Sequence, residues 1–280
     1  MKNILVVGST GQIGSELTMK LRSLYPDGDV VAGYVKGAEP KGELLESGPC
    51  EEADVLNAAQ LAQILEIARE KGCAVFTPSS IGSFGPETPR VGTPQDTIQR
   101  PRSMYGVTKV TTELLSDYYH TKYGVDTRSV RFPGLISHVT LPGGGTTDYA
   151  VTIYYSAVKG EEFVCPIKAG TFMDMMYMPD ALKAAVDIMN ADPSSLVHRN
   201  SFNIASMSFD PEILRAKICE HIPDFRMRYE INPVCQAIAD SWPDRMDDSC
   251  AREEWDWKPE YDLESMTADM IRELSRKLGK

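Results

Sequence analysis

A doubly wound α/β fold, built on a parallel sheet and followed by a small mixed C-terminal lobe, is predicted by three features of this 280-residue chain. The first is Ile4-Leu5-Val6-Val7, a short apolar run of the kind that forms a central parallel strand covered on both faces. The second is the turn after it, Gly8-Ser9-Thr10-Gly11-Gln12-Ile13-Gly14, leading into a helix that carries Leu17, Leu21 and Leu24 on one face. The third is continued alternation: strand-like Val30-Val31-Ala32, Val75-Phe76-Thr77-Pro78 and Ser129-Val130-Arg131-Phe132 are separated by helical stretches at Leu56–Lys71 and from Tyr105 through Tyr118. Alternation of this kind is Rossmann-like. It weakens beyond residue 136, so the expected division is a nucleotide-binding part over 1–165 and a substrate lobe over 166–280, with the chain crossing back between them.

Composition narrows the partners. With 42% apolar residues the chain can bury a full core. A net charge of -11, with no concentration of Lys and Arg, argues against nucleic acid and against anionic membrane surfaces. No apolar run approaches the ~20 residues needed to span a bilayer, and the strand at Ile4 comes too early for a signal peptide. Cys50, Cys73, Cys165, Cys219, Cys235 and Cys250 are scattered, without CxxC or a histidine at ligand spacing. Reduced thiols, no metal site and a cytoplasmic location are the expectations.

Glycines between a buried strand and an amphipathic helix let backbone approach a pyrophosphate, while the helix start offers free N–H groups. Gly8, Gly11, Gln12, Ile13 and Gly14 are therefore the candidates for dinucleotide binding. The second strand should close on a carboxylate for the adenosine ribose, but Gly33-Tyr34-Val35-Lys36 stands there. NAD over NADP thus lacks its usual warrant, and Lys36 could meet a 2′-phosphate. Asp54-Val55, at the end of a third strand, resembles the pair that faces adenine in folds of this kind; the plainer reading is a strand-end aspartate in water.

Ser79-Ser80 follows a strand, and 25 residues after Ser80 a helix opens at Tyr105-Gly106-Val107-Thr108-Lys109. Residues four apart share a helix face. An ammonium beside a phenol favours phenolate and makes tyrosine a general base, while a serine hydroxyl orients the alcohol to be oxidised. Strand alternation lets only one of Ser79 and Ser80 face the cleft, and the register leaves the choice open. The same spacing recurs at Tyr118/Lys122 and Tyr155/Lys159, which lack a preceding serine strand and read as surface or packing pairs. Pro133-Gly134-Leu135-Ile136 reads as a turn against a nicotinamide ring. Met173 to Met178 reads as core, Ser208 or Asp210 as the cap of a helix with Pro211 in its first turn, and Leu263–Leu278 as a terminal helix. His120, His138, His198 and His221 stand alone in sequence.

Gly143-Gly144-Gly145 delivers Thr146-Thr147-Asp148, two hydroxyls and a carboxylate suited to an amino acid's carboxylate and ammonium. The plainer reading is an N-cap, Thr147 or Asp148, for a helix beginning near Tyr149.

With these residues placed, the chain resembles the extended short-chain dehydrogenases, and within them the epimerase-related L-threonine 3-dehydrogenases, along nearly its whole length. The more specific elements are the stretch from Gly143 to Val151 and Ser241-Trp242-Pro243. The resemblance implies oxidation of the L-threonine 3-hydroxyl to 2-amino-3-oxobutyrate with hydride transfer to NAD. Tyr105 would take the proton, Lys109 would assist it and hold ribose, and Ser80 would position the hydroxyl. Gly144, Thr146, Thr147, Asp148, Trp242, Ser79 and Ser80 would line the substrate site, on a loop able to close. Pro133 and Leu135 would lie against the cofactor. One departure is large. Between Asp54 and Ala74 only about 20 residues are available, enough for one crossover helix but not for the strand and second helix of the family. Losing a central strand would displace the Ser80 strand by about 4.8 Å and remove part of the usual dimer interface, so a monomer is favoured over a homodimer. Two other functions use the same residues: a nucleotide-sugar epimerase or dehydratase, and a non-catalytic dinucleotide-binding regulator.

Overall fold

The structure, a computed structural model, describes residues 3–52, 58–141 and 143–280. Packing divides the chain into two compact units, residues 1–73 with 139–141, and residues 74–138 with 142–280. This is a division by contacts, distinct from the functional boundary expected at 165/166.

The first unit contains β1 (Asn3–Val7), α1 (Gln12–Leu24), β2 (Asp29–Tyr34), α2 (Glu43–Glu46), β3 (Cys50–Glu52) and α3 (Ala58–Lys71). The strands form a parallel sheet in the order β1-β2-β3, with Ile4 opposite Val30 and Val6 opposite Ala32. Val6, Val30, Ala32 and Leu21 are buried. The expectation that β1 is covered on both faces is not met, since Leu5 is 55% exposed. Among the described residues β1 is an edge strand, flanked by β2 alone. Val6 and Leu5 point to opposite faces of β1, and only the Val6 face is covered. Leu24, expected on the apolar face of α1, is likewise exposed.

The second unit runs β4 (Val75–Phe76), β5 (Ser79–Ser80), β6 (Val91–Thr93), α4 (Met104–Tyr123), β7 (Thr127–Arg128), β8 (Val130–Phe132), β9 (Gly134–Ile136) and α5 (Tyr149–Lys159). It continues through β10 (Phe163–Cys165), β11 (Met173–Tyr177), α6 (Met178–Asn190), β12 (Phe202–Asn203), β13 (Met207–Phe209) and α7 (Pro211–His221). Last come β14 (Met227–Tyr229), α8 (Pro233–Ala239), β15 (Arg245–Met246), α9 (Ser249–Trp255) and α10 (Leu263–Leu278). Two three-stranded sheets organise it. One is parallel, β12-β8-β5; the other is β13-β11-β9, where β11 is parallel to β9 and antiparallel to β13. Gly134–Ile136, read from sequence as a turn, is therefore a strand: Pro133 interrupts the ladder for one residue, and the chain then pairs with β11 instead.

A large core cluster of this unit joins β11, α5, α7 and α10, with Met173, Met175, Tyr177, Ile153, Tyr154 and Met270 fully buried, and a smaller one holds Ile81, Phe84 and Met246. The methionine-rich strand is packing, as expected. Asp210 caps α7 by accepting from the Ile213 N–H at 2.9 Å, with Pro211 as the first helical residue. Asp180, at the start of α6, accepts from the Glu260 and Tyr261 N–H groups at 2.8 and 3.1 Å, which fastens the C-terminal segment to the core.

Asp174, in β11, is almost fully buried and accepts from the Met246 N–H. Burial pushes its carboxyl up to about 7. The unfolded group titrates near ~3.9, so the native state holds the proton more tightly. Stability present below that value is lost as pH rises through about 7. Asp174→Asn, which keeps the acceptor, should flatten this fall. The difference from the parent protein should grow by as much as ~4 kcal/mol across that window, read from chemical denaturation at a series of pH values.

Candidate active site

In the first unit the strand-to-helix turn has the form that a dinucleotide requires. Gly14 sits so close beneath the turn that a Cβ would lie 2.1 Å from the Gly8 carbonyl oxygen. The Gly11 N–H donates to that same oxygen at 3.0 Å, and the Ser9 hydroxyl donates to the Gly33 carbonyl at 2.9 Å, tying the turn to β2. Gly11 caps α1 without any side-chain bond, and no acidic residue stands in its first turn. The N–H groups there are thus presented with their dipole to an anion. The Gln12 Nε2 is buried without a hydrogen-bond partner, a donor awaiting an acceptor. Ile13 and Gly14 follow in the first helical turn. Tyr34 closes β2, half-buried, where a ribose-binding carboxylate is usual, and Lys36 is exposed just beyond. Asp54 and Val55 lie outside the described residues.

In the second unit, α4 begins at Met104 because the Ser103 hydroxyl accepts from the Gly106 N–H at 3.1 Å. This places Tyr105 in the first turn and Lys109 one turn later. The Tyr105 ring is 53% exposed and rests on Gly82, where a Cβ would be 3.0 Å from the ring and 3.5 Å from the Ser80 Oγ. Ser80, half-buried, accepts from the Gly82 N–H at 3.1 Å. The Lys109 ammonium lies 5.5 Å from the centre of the Tyr105 ring and donates to the Pro78 carbonyl at 2.7 Å. Burial lowers the Lys109 pKa and the nearby Glu113 carboxylate raises it, the first effect being the larger. Ser79 is different. It is buried, and its hydroxyl donates to Glu113. Of the two serines left open by the sequence, Ser80 is the one whose oxygen stands beside Tyr105.

The other tyrosine–lysine pairs fall elsewhere. Lys122 donates to the Tyr118 hydroxyl at 2.6 Å on exposed helix surface, and Tyr155 receives Lys277 at 3.3 Å.

Thr146–Asp148 forms a turn of 3-10 helix running straight into α5. Thr146 is buried, while Thr147 and Asp148 are half-buried, so the trio is more enclosed than a free loop would be. Asp148 stands at the N-cap position of α5, but its side chain makes no bond into that helix. Its carboxylate turns back and accepts from the Gly144 and Gly145 N–H groups, both at 2.6 Å. Gly144 holds φ at +97°, a conformation closed to other residues at ordinary cost, which lets two successive N–H groups converge. Thr147 packs against β9: a Cβ on Gly134 would be 2.7 Å from its methyl group. Pro133 is buried and Leu135 half-buried beside it. Trp242 is half-buried against the cluster of Ile81, Phe84 and Met246, whose Ile81 directly follows Ser80, and also against the main core.

The family model for the NAD dependent epimerase/dehydratase family matches residues 53–205, more than half of the chain. The chain belongs to that family. This epimerase/dehydratase family member is 47% identical to an uncharacterized epimerase/dehydratase of Staphylococcus saprophyticus, covering 99% of this chain and 98% of that protein. Among solved structures it is similar to an L-threonine dehydrogenase from Clostridium difficile, with 49% identity, a TM-score of 0.94 and coverage of 99% of this chain and 98% of that one. A monomeric L-threonine 3-dehydrogenase from a metagenome is 36% identical, with a TM-score of 0.90 and coverage of 99% and 100%. The Staphylococcus alignment spans 315 positions against 280 residues here, so at least 35 positions of that relative have no counterpart. A shortfall of that size can contain a strand and a helix, which the sequence placed between Asp54 and Ala74.

Two features escaped the sequence reading. Glu113, Arg131 and Gln99 form a buried polar group behind Ser79, with Arg131 donating to Glu113 at 3.1 and 2.9 Å and Gln99 at 2.7 Å. A signal existed: Glu113 continues the spacing of Tyr105 and Lys109, and Arg131 is a charge inside a strand otherwise read as buried. A polar cavity of about 250 Å³ is lined by Glu113, Arg131 and Gln99 together with Gln95, Asp117 and His198 among others. The second feature is a cluster of His198, Cys250 and Glu254, whose polar atoms lie within 4.8 Å of one another. Glu254 is already engaged there by the Val197 and His198 N–H groups at 2.6 and 3.0 Å and by the His198 ring, which makes it a clasp for that loop. All six cysteines are free thiols. No described helix is long and apolar enough to cross a membrane.

Proposed function

We propose that this protein oxidises the 3-hydroxyl of L-threonine to 2-amino-3-oxobutyrate with NAD as oxidant. The observation that carries the reading is the conjunction, in the second unit, of a Ser80–Tyr105–Lys109 group with an enclosed Thr146–Thr147–Asp148 turn. Bound NAD supplies the hydride acceptor, and the residues to hold its pyrophosphate are Gly8, Gly11, Gln12, Ile13 and Gly14, with Tyr34, Asp54, Val55, Pro133 and Leu135 as further cofactor contacts. Nucleotide binding falls to residues 1–165, which also contribute the catalytic serine and tyrosine and the Thr146–Asp148 turn, while residues 166–280 form the lobe that brings Trp242 to the substrate.

The Ser80 hydroxyl orients the substrate alcohol toward Tyr105, whose phenolate oxygen takes the alcohol proton. Lys109 sets a positive charge 5.5 Å from the centre of the ring, where it attracts negative charge. Asp148, with Gly144 and Gly145 already on its carboxylate, offers its remaining lone pairs to the substrate ammonium, and the Thr146 and Thr147 hydroxyls receive the carboxylate. Trp242 closes the apolar side. A nucleotide sugar would find no counterpart for these two charged ends, which sets the epimerase reading second. The similarity to a monomeric enzyme is consistent with a monomer.

The test is NADH absorbance on mixing with L-threonine and NAD, beside NADP and a nucleotide sugar. Growth with L-threonine and NAD supports the reading. Nucleotide binding by calorimetry without any turnover would replace it with the non-catalytic regulator. Asp148→Asn should raise the KM for L-threonine by roughly 10- to 100-fold, the equivalent of ~1.5–3 kcal/mol for a hydrogen bond to a charged group. Its kcat should change much less, because asparagine still accepts from the loop. An unchanged KM would remove Asp148 from substrate binding.

A further inference from the structure

Resting on that reading, we propose that Glu113 is a positioning residue: with Lys109 it grips the backbone and side chain immediately before Ser80 and so fixes where the Ser80 hydroxyl stands. Tyr105, Lys109 and Glu113 are spaced by four on α4 and share one face. Lys109 holds the Pro78 carbonyl at 2.7 Å. One turn further on, Glu113 holds the Ser79 hydroxyl. Two consecutive residues are thus clamped by two consecutive turns of the helix that bears the tyrosine.

Successive side chains of a strand point to opposite faces, so fastening Ser79 on one side dictates the direction of Ser80 on the other. The clamp is itself rigid. Arg131 lies opposite Ser79 in the β5–β8 register, and its guanidinium takes both Glu113 oxygens. It also donates to the Gln95 carbonyl at 3.0 Å and to Asn203 Oδ1 at 3.1 Å. Gln99 adds a further donor to Glu113 from the segment before α4. A carboxylate that served only to neutralise Arg131 would not need the Ser79 hydroxyl.

Removing Glu113 alone would strand the Arg131 charge in the interior and jeopardise folding, so the test uses two double variants that are both free of that charge. Glu113→Leu/Arg131→Met deletes the acceptor for Ser79; Glu113→Gln/Arg131→Met retains it. In the leucine double, kcat for L-threonine should fall roughly 10- to 100-fold, the scale of a misplacement near 1 Å. KM should stay within about threefold, because the amino-acid end is held elsewhere. The glutamine double should recover most of the loss. Equal kcat in two folded doubles would overturn the proposal and leave Glu113 as a counter-ion. A second readout does not depend on threonine turnover: hydrogen exchange at the Gly82 amide, which donates to Ser80 Oγ. Its protection should drop in the leucine double and return in the glutamine double. Identical protection in both would overturn the proposal even for a protein inert toward L-threonine, an outcome that would separately end the dehydrogenase reading.

Discussion

Tyr105→Phe is expected to slow NADH formation from L-threonine by roughly 10²- to 10⁴-fold, the range that a positioned general base supplies. The fold should not notice. The ring is half-exposed, leans on a glycine and sits in the first turn of α4, where substitution at the hydroxyl touches no core contact. Its melting temperature and its affinity for NAD should therefore match those of the parent protein, with stability within about 0.5 kcal/mol. That separation gives the experiment its value, because loss of rate with retained cofactor binding assigns the proton transfer to this phenol. Tyr118→Phe serves as the control, since Tyr118 has the same spacing to a lysine and a shorter contact with it, yet lies on exposed surface. If Tyr118→Phe lost as much activity as Tyr105→Phe, the assignment of the base would be wrong.

Gly14→Ala carries the second large effect, on the cofactor side. The added Cβ would be 2.1 Å from the Gly8 carbonyl oxygen, well inside contact distance, and the obstacle is backbone that cannot rotate away. The turn must open to admit it. Overpacking of this kind costs ~1–3 kcal/mol, and if the nucleotide needs the closed turn the same energy appears in its affinity, about 10-fold weaker for each ~1.4 kcal/mol. Calorimetric titration with NAD should show a Kd raised by roughly 10- to 100-fold. An unchanged Kd would mean that the turn does not cradle the pyrophosphate.

Much of the site was legible before any coordinates. The glycine turn, Tyr105 with Lys109, the serine pair and the Thr-Thr-Asp turn are each defined by spacing along one or two adjacent elements, and local spacing is what a sequence displays directly. The helix opening read at Tyr105 (Met104 in the structure, behind the Ser103 cap), the cap at Asp210 and the terminal helix Leu263–Leu278 follow from short-range hydrogen bonding of the same local kind. Less legible was anything that depended on which strand lies beside which. Gly134–Ile136 became a strand because β11 was there to receive it. Leu5 surfaced because it lies on the face of β1 opposite the buried Val6.

The sequence by itself determined the chemistry on offer: a nucleotide turn, a phenol with an ammonium one turn away, two adjacent serines, and a glycine-delivered pair of hydroxyls with a carboxylate. Tertiary structure alone decided which groups remain available for that chemistry. It gave the Ser79 hydroxyl to Glu113 and left Ser80 beside Tyr105, and it turned Asp148 back onto its own loop instead of onto α5. The physical reason is that a buried polar atom must find a partner at close to 3 Å. Identity and spacing say what an atom can bond, but only the packed neighbours say which bonds are already made.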